Sequence, residues 1–101
     1  MTTEDQASQT ADQPLSRELT ITNRFGIHAR PAALFVKTAN RFQSEIAVEK
    51  GGQRVSGKSI IGLMTIEGYQ GASLRLSALG PDATEALDAL EDLVQQKFFE
   101  D

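Results

Sequence analysis

The residues of this chain best suited to chemistry lie in the stretch NRFGIHARPA, positions 23–32. His28 follows a turn that Gly26 permits, and it stands at or beside the first residue of a predicted helix. The first N–H groups of a helix have no partner within it and lie at its positive end, so they attract an anion. Arg30 adds a planar, permanently charged group that suits phosphate oxygens. The pattern predicts a histidine at an anion-binding helix end, with the backbone fixed behind it by Pro31.

The position of the His28 imidazole indicates that it acts as a nucleophile in a group-transfer reaction. In its neutral form the ring offers a nitrogen lone pair and can act as a nucleophile. A phosphoryl group received on that nitrogen would be held by the helix end and by Arg30. Because a phosphorus–nitrogen bond is reactive, the same site could pass the group on. His28 is the single histidine of the chain, with no second base in its pattern, so group transfer fits better than hydrolysis.

A second stretch, GQRVSGKS at residues 52–59, matches the nucleotide-binding pattern G-x-x-x-x-G-K-[ST]. The matching positions are Gly52, Gly57, Lys58 and Ser59. In that pattern the backbone cradles phosphates, the lysine contacts them and the hydroxyl binds magnesium. The surrounding sequence, EIAVEKGGQRVSG, instead predicts a β-hairpin with the two adjacent glycines at its turn. No apolar strand ending in a magnesium-binding aspartate accompanies it. We therefore interpret the match as a coincidence of spacing and reject an ATP-hydrolysing enzyme.

The elements that must position His28 are a strand before it and a helix after it. The segment ELTIT, residues 18–22, alternates Leu19 and Ile21 with polar residues, which is the period of a half-buried strand. From residue 29 to about residue 42 the apolar residues recur with a helical period. This apolar stripe comprises Ala32, Phe35, Val36, Ala39 and Phe42. The sequence thus predicts a strand, a glycine turn and an amphipathic helix.

The rest of the chain predicts a hairpin, a short helix, a fourth strand and a last helix. The short helix runs from Ser59, whose hydroxyl can cap it, to Ile66. ASLRLSAL, residues 72–79, is the fourth strand. Asp82 and Glu85 have the spacing of a capping box at the start of the last helix. The stripe of that helix comprises Ala83, Ala86, Leu87, Leu90, Val94 and Phe98. The order β-α-β-β-α-β-α predicts an α+β fold with helices on one face of an antiparallel sheet.

Composition excludes several classes of function. A chain of 101 residues has room for one modest domain. The absence of cysteine and the single histidine exclude disulfides, thiol chemistry and multi-histidine metal sites, so we expect no metal and no cofactor. No apolar run is long enough to span a bilayer, and the N-terminus lacks a secretory pattern. We expect a cytoplasmic protein without membrane insertion.

Charge is unevenly distributed along the chain. Three acidic and no basic residues fall within residues 1–16, although the whole chain carries a formal charge of −4. This segment is polar and lacks the apolar residues needed to fold, so we predict a flexible acidic tail over residues 1–16 and a folded domain over 17–101. The domain is nearly neutral and has no basic stripe, which argues against a nucleic-acid partner.

Two motifs together resemble a known family. GIHARPA, followed at the right distance by GKSIIGLM within this element order, resembles HPr, the histidine phosphocarrier family of the bacterial phosphoenolpyruvate-dependent phosphotransferase system. The resemblance covers about residues 17–98. It implies an open-faced β-sandwich, a four-stranded antiparallel sheet with three helices on one face. It also implies that His28 accepts a phosphoryl group on Nδ1 from phosphorylated Enzyme I and passes it to an Enzyme IIA, with Arg30 assisting. Such a protein is a carrier with a phosphohistidine intermediate, not an enzyme, and we expect a monomer.

The resemblance also assigns roles to the second motif. Ser59 matches a regulatory site that HPr kinase/phosphorylase modifies in some bacteria. Ile60, Ile61 and Met64 match an apolar docking surface, and Lys37 matches a position at partner interfaces. A phosphate on Ser59 would add about −1.5 to −2 charges beside an apolar patch. It would disfavour one partner and favour another with basic residues, such as a transcriptional regulator.

Two other functions stay open beside the sugar-type carrier. The NRFGIHARPA stretch and the acidic C-terminus are also typical of carriers of the nitrogen-related branch, whereas GKSIIGLM favours the kinase-regulated type. A purely regulatory protein that acts through phosphorylated Ser59 is the second, although the retention of His28 and Arg30 argues against it. Without the resemblance, Ser59 is simply a helix cap and Lys37 a solvated surface charge. The sixteen-residue extension departs from the family pattern.

Overall fold

A computed structural model describes residues 13–100 as one α+β unit. Its strands are β1 (Leu15–Thr20), β2 (Glu45–Lys50), β3 (Gln53–Ser56) and β4 (Ser73–Leu79). Its helices are α1 (Ala29–Ala39), α2 (Ile60–Thr65) and α3 (Ala83–Gln95), followed by a 3₁₀ turn (Lys97–Phe99). Most of the predicted tail, residues 1–12, lies outside the described residues, as does Asp101. No helix in the described part of the chain has the length and hydropathy of a membrane span.

The four strands form one antiparallel sheet in the order β1-β4-β2-β3. β4 lies in the middle and pairs with β1 from Leu15↔Ala78 to Thr20↔Ser73. On its other side β4 pairs with β2, and β2 pairs with β3 through the hairpin. The inward side chains of the strands form one core with all three helices, and no helix of residues 13–100 covers the opposite face of the sheet. The predicted element order and open-faced fold are confirmed.

The core combines the aliphatic side chains of the sheet with the apolar stripes of the helices. Its most buried large side chains are Phe35, Phe98, Ile21, Leu63, Ile66, Leu76, Leu87, Leu90 and Val48. The predicted stripes of α1 and α3 supply much of this set, because residues three and four apart lie on one face of a helix. Burial of these side chains is the main source of stability for a domain of this size.

β1 begins at Leu15, two residues before the predicted start of the folded domain, and ends at Thr20. Leu15 and Leu19 pack against the core, and Arg17 occupies the inward position between them. The Arg17 guanidinium lies 2.7 Å from carboxylate oxygens of both Asp88 and Glu91 on α3. An arginine can therefore occupy an inward position at the edge of the sheet. Because a charged residue stands at an inward position, the sequence pattern did not show that the alternation of the strand starts at Leu15.

Two predicted helix ends differ from the structure. α1 ends at Ala39 rather than near residue 42, because hydrogen bonds between residues three apart replace the α-helical bonds between residues four apart. The amides of Arg41 and Phe42 donate to the carbonyls of Thr38 and Ala39, both at 3.1 Å. Phe98 is fully buried as expected, but it lies in the 3₁₀ turn after α3 with φ 55°. The last helical residue is Gln95.

The predicted capping box at α3 is wrong. The Asp82 side chain makes no capping hydrogen bond to its own helix. Its carboxylate instead accepts from the amides of Gln43 and Ser44 at 2.9 Å and from the Ser44 hydroxyl at 2.5 Å. These bonds lower the pKa of Asp82, with the Ser44 hydroxyl as the largest cause. Asp82 therefore joins the start of α3 to the loop before β2.

The GQRVSGKS stretch is a hairpin arm followed by a helix cap, as predicted. Gly51 and Gly52 form the turn with φ of 55° and 84°, values that glycine adopts readily. The following residues are β3, and Lys58 donates from Nζ to the Phe42 carbonyl at 2.9 Å. Backbone amides paired in a sheet and a lysine engaged elsewhere cannot cradle phosphates as a nucleotide-binding loop does.

Candidate functional site

The loop that carries His28 is held by a second loop beyond α2. The Ile27 amide donates to the Gly68 carbonyl at 2.8 Å, and the His28 amide donates to the Gly26 carbonyl at 3.1 Å. Gly26 has φ 66°, and a Cβ placed there would lie 2.3 Å from the Gly68 carbonyl oxygen. Only glycine allows this close approach. The turn before His28 thus has a defined backbone supported from behind.

His28 is the N-cap residue of α1, with φ −92° and ψ −168°. Its imidazole makes no capping hydrogen bond to the helix, so the ring does not occupy the amides of the first turn. The side chain is 43% exposed. The Phe25 ring meets it edge-on, with the two ring centroids 6.3 Å apart. His28 is therefore accessible to a partner protein and lies at a helix end that can receive an anion.

A carboxylate from the end of the chain reaches the imidazole. Glu100 Oε1 lies 3.1 Å from His28 Nε2, and it also accepts from Asn23 Nδ2 at 3.0 Å. Asn23 is fully buried, and its Nδ2 also donates to the Gly26 carbonyl at 2.8 Å. The hydrogen bonds from Asn23 and then His28 lower the pKa of the Glu100 carboxyl. This carboxylate is thus a fixed, ionised neighbour of the ring at neutral pH.

Arg30 supplies positive charge on the same side of the molecule. It is exposed in the first turn of α1 and forms no ion pair with any residue between 13 and 100. Its charge contributes to lowering the pKa of Glu100, which places it within electrostatic reach of the His28 pair. A guanidinium that has no ion-pair partner among residues 13–100 and lies beside a helix end suits the oxygens of a phosphoryl group.

The residues of the second motif form a separate surface on α2. Ser59 caps the helix, and its Oγ accepts from the Gly62 amide at 3.0 Å, as the sequence predicted. Ile60, Ile61 and Met64 are 41%, 77% and 47% exposed, so all three face solvent in part. α2 packs against α1, whose last turn carries the exposed Lys37. The structure places the helix-capping serine beside exposed apolar side chains.

Three exposed aromatic residues were not among the predicted site residues. Phe25 beside His28 is 70% exposed, and Phe99 next to Glu100 is 67% exposed. Tyr69 is 59% exposed and stacks under the Lys50 ammonium, 4.7 Å from the ring centroid. Large exposed rings near a functional loop are typical of protein-binding surfaces.

Glu100 and Asn23 are the residues that the sequence reasoning missed. Glu100 lies 72 positions from His28, and the sequence predicted no contact between the two residues. The contact depends on the turn at Lys97–Phe99, where all three residues have positive φ. Non-glycine residues rarely adopt this conformation in succession. No local pattern signals such a turn, so only the folded structure reveals the contact.

Comparison with known proteins decides the family. The family model described as "PTS HPr component phosphorylation site" matches residues 15–96, a range that includes both motifs and all four strands.

The chain belongs to the HPr family. Among curated HPr relatives, the phosphocarrier protein HPr of Treponema pallidum is 47% identical over 81 residues, which are 80% of this chain and 92% of that protein. The HPr-like protein Crh of Bacillus subtilis is 49% identical over 72 residues, which are 71% of this chain and 85% of that protein.

Solved HPr structures have the same fold. An HPr from Thermoanaerobacter tengcongensis superposes with a TM-score of 0.83 at 48% identity, covering 86% of this chain and 98% of that one. A phosphocarrier protein HPr from Bacillus anthracis superposes with a TM-score of 0.79 at 40% identity, and the match covers 83% of this chain and 100% of that one. Structures of dimers are also found among the relatives, for an HPr and for Crh. The resemblance noted in the sequence is thus confirmed at the level of family and fold.

Proposed function

We propose that this chain is a phosphocarrier in which His28 accepts a phosphoryl group from phosphorylated Enzyme I and passes it to Enzyme IIA proteins. The observation that carries the proposal is the position of His28 at the start of α1, exposed and not used to cap the helix. Membership of the HPr family supports the same role. We further propose that the protein acts in the cytoplasm as a monomer, without cofactor.

The transfer needs only one bond to form and one to break. A ring nitrogen of His28 attacks phosphorus with its lone pair, and the bond from phosphorus to the donor breaks with its electron pair staying on the donor. The N–H groups of Ala29 and Arg30 belong to the first turn of α1, where the helix supplies no acceptor. Together with the Arg30 guanidinium they can stabilise the phosphoryl oxygens during transfer. The second transfer, to Enzyme IIA, is the same step in reverse with a new acceptor.

Partner proteins would dock beside the histidine. Ile60, Ile61 and Met64 present exposed apolar area next to the element that carries His28, and Lys37 adds a charge at the end of that element. Apolar side chains at the centre of an interface with charges at its rim are typical of protein association. We assign Enzyme I and Enzyme IIA proteins to this surface.

Ser59 would regulate docking. Its hydroxyl is half-buried at the start of α2 and precedes the exposed Ile60 and Ile61 directly. A phosphate there would introduce about −1.5 to −2 charges beside the apolar surface. Docking of an apolar partner face would then lose affinity, and a partner with basic residues would gain it. HPr kinase/phosphorylase is the proposed source of the phosphate.

A second candidate function is purely regulatory. It is favoured by the likeness to Crh, the Bacillus subtilis catabolite repression HPr. In that case the chain would act through phosphorylated Ser59 on a transcriptional regulator or an enzyme, and His28 would carry no phosphoryl group. The exposed imidazole with Arg30 beside it supports the carrier role instead.

Intact-mass analysis after incubation with phosphoenolpyruvate and Enzyme I separates these two functions. We expect one phosphoryl adduct on the wild type and on Ser59→Ala, and none on His28→Ala. The adduct should disappear in mild acid, because phosphohistidine is acid-labile and phosphoserine is not. An adduct that survives acid, or that persists in His28→Ala, would rule out the carrier role. No adduct with an Enzyme I that phosphorylates a related HPr would favour the regulatory function.

A further inference from the structure

The contact between Glu100 and His28 depends on the well-packed turn that precedes Glu100. Phe98 is fully buried, and it anchors the turn in which Lys97, Phe98 and Phe99 have φ of 54°, 55° and 60°. The amide of Glu100 donates to the Lys97 carbonyl at 3.0 Å, which closes the turn. Left-handed conformation in three successive non-glycine residues is unfavourable and persists only where the surroundings enforce it. The end of the chain is thus directed to the imidazole by a packed and strained turn.

The buried amide of Asn23 holds the carboxylate from the other side. Both neighbours of Asn23 Nδ2, the Gly26 carbonyl and Glu100 Oε1, can only accept hydrogen bonds, so this atom must be the amide nitrogen. The Oδ1 atom of the same side chain is buried and has no partner within residues 13–100. The Asn23 amide therefore contributes to the site through its two donor contacts.

The chemistry of the carboxylate determines which ring nitrogen carries the proton. An ionised carboxylate is an acceptor only, so the hydrogen shared between Glu100 and His28 must belong to Nε2. A neutral imidazole has one N–H, and its lone pair then lies on Nδ1. We infer that Glu100, oriented by Asn23, is a positioning residue that makes Nδ1 the acceptor nitrogen of His28. The inference deepens the proposed phosphocarrier function and rests on it.

The same contact supports the ring through the transfer. The lone pair of Nδ1 forms the bond to phosphorus, the donor keeps the electron pair of the broken bond, and the proton stays on Nε2. The ring is then positively charged, and the Glu100 carboxylate 3.1 Å from Nε2 stabilises that charge. Transfer to the next acceptor returns the electron pair to Nδ1 and restores the starting tautomer. No proton has to enter or leave the site.

The tautomer can be measured without any partner protein. Because the chain has one histidine, ¹⁵N NMR of labelled protein at mildly alkaline pH reports only the two ring nitrogens of His28. We expect the wild type to show a protonated Nε2 and a lone pair on Nδ1. In Glu100→Ala the two nitrogen shifts should move toward each other as the other tautomer becomes populated, with a smaller movement in Glu100→Gln, which keeps an acceptor oxygen.

Asp92→Asn is the matched control, because it removes one carboxylate from an exposed position on α3. Its ring shifts should equal those of the wild type. A wild type protonated on Nδ1, or identical shifts in Glu100→Ala and the wild type, would overturn the inference while leaving the phosphocarrier function intact.

The regiochemistry of the phosphorylated protein provides the second test. After phosphorylation by Enzyme I, phosphorus–nitrogen coupling should show Nδ1-phosphohistidine alone in the wild type and in Asp92→Asn. Glu100→Ala should give a mixture with Nε2-phosphohistidine and accept the group about tenfold more slowly, since one charge-assisted hydrogen bond is lost. Pure Nδ1 product formed at the wild-type rate in Glu100→Ala would overturn the inference alone. A wild type that takes no phosphoryl group would overturn the proposed function and the inference with it.

Discussion

Phe98 is the residue on which the C-terminal part of the site depends. Its ring is fully buried in the hydrophobic core, whereas the neighbouring Phe99 is 67% exposed. Truncation of a buried phenylalanine to alanine removes its burial and leaves a cavity, and together these effects destabilise a protein by about 3–5 kcal/mol. We expect Phe98→Ala to lower the free energy of unfolding by this amount. Phe99→Ala should change it by about 0.5 kcal/mol or less, as is usual at the surface.

The expected loss is large relative to the whole stability of a small domain, which is about 5–15 kcal/mol. For a domain of this size each kcal/mol shifts the melting temperature by about 4–8 °C, so Phe98→Ala should melt at least about 12 °C lower than the wild type. Guanidinium unfolding followed by circular dichroism measures the free energy directly, and an unchanged slope would show that the same two states are compared. The reasoning is refuted if Phe98→Ala loses less than about 1 kcal/mol, or if Phe99→Ala loses as much.

Three further sets of substitutions test other contacts described above. An alanine in the left-handed conformation costs about 1–2 kcal/mol in backbone strain. Gly26→Ala should destabilise the protein by more than this amount, because the new Cβ would also clash with the backbone of Gly68. Gly71→Ala, where φ is 90° and the space around the Cβ is open, should show the backbone strain without a clash. Ser59→Ala should lose about 1 kcal/mol of stability in chemical unfolding, and Ser59→Asp should recover most of it by capping α2. The pKa of Asp82 is lowered in the folded state, chiefly by the Ser44 hydroxyl. Its contribution to stability is therefore complete above pH 3.8, the ordinary pKa of the group, and is lost as pH falls through the lower folded pKa; Asp82→Asn should flatten this part of a stability profile against pH.

Each of these expectations has a result that contradicts it. Equal losses in Gly26→Ala and Gly71→Ala would show that the loop of residues 66–72 does not hold the turn before His28. A Ser59→Asp variant no more stable than Ser59→Ala would remove the capping role. An Asp82→Asn profile with the acid slope of the wild type would assign that slope to other carboxylates.

The fold could be predicted because local patterns and tertiary packing agree. The alternation in β4 and the stripes of α1 and α3 follow the periods of strands and helices, and the glycines at 51–52 mark the hairpin turn. Two of the errors, at Arg17 and Asp82, occurred where a polar side chain has a distant partner. Arg17 occupies an inward position because α3 supplies two carboxylates, and Asp82 leaves its own helix because the loop before β2 supplies three donors. Such partners are set by the fold and are not visible in a local pattern.

The candidate site could be predicted only in part. Two contiguous motifs contain His28, Arg30 and Ser59, and their residue types and spacing were enough to predict a chemical role for each. Asn23 lies in the first motif too, but its side chain acquires a role only through Glu100, which approaches from the other end of the chain. That approach depends on backbone conformation that residue propensities disfavour. The part of the site that orients the histidine is therefore a property of the packed structure.

The most direct measurement of the central claim is transfer of a labelled phosphoryl group from phosphoenolpyruvate through Enzyme I to Enzyme IIA. We predict that Enzyme IIA becomes labelled when the wild-type chain is present and stays unlabelled when it is absent or replaced by His28→Ala. Labelling of Enzyme IIA through His28→Ala would contradict the account. So would a wild-type chain that leaves Enzyme IIA unlabelled while a related HPr completes the transfer with the same two proteins.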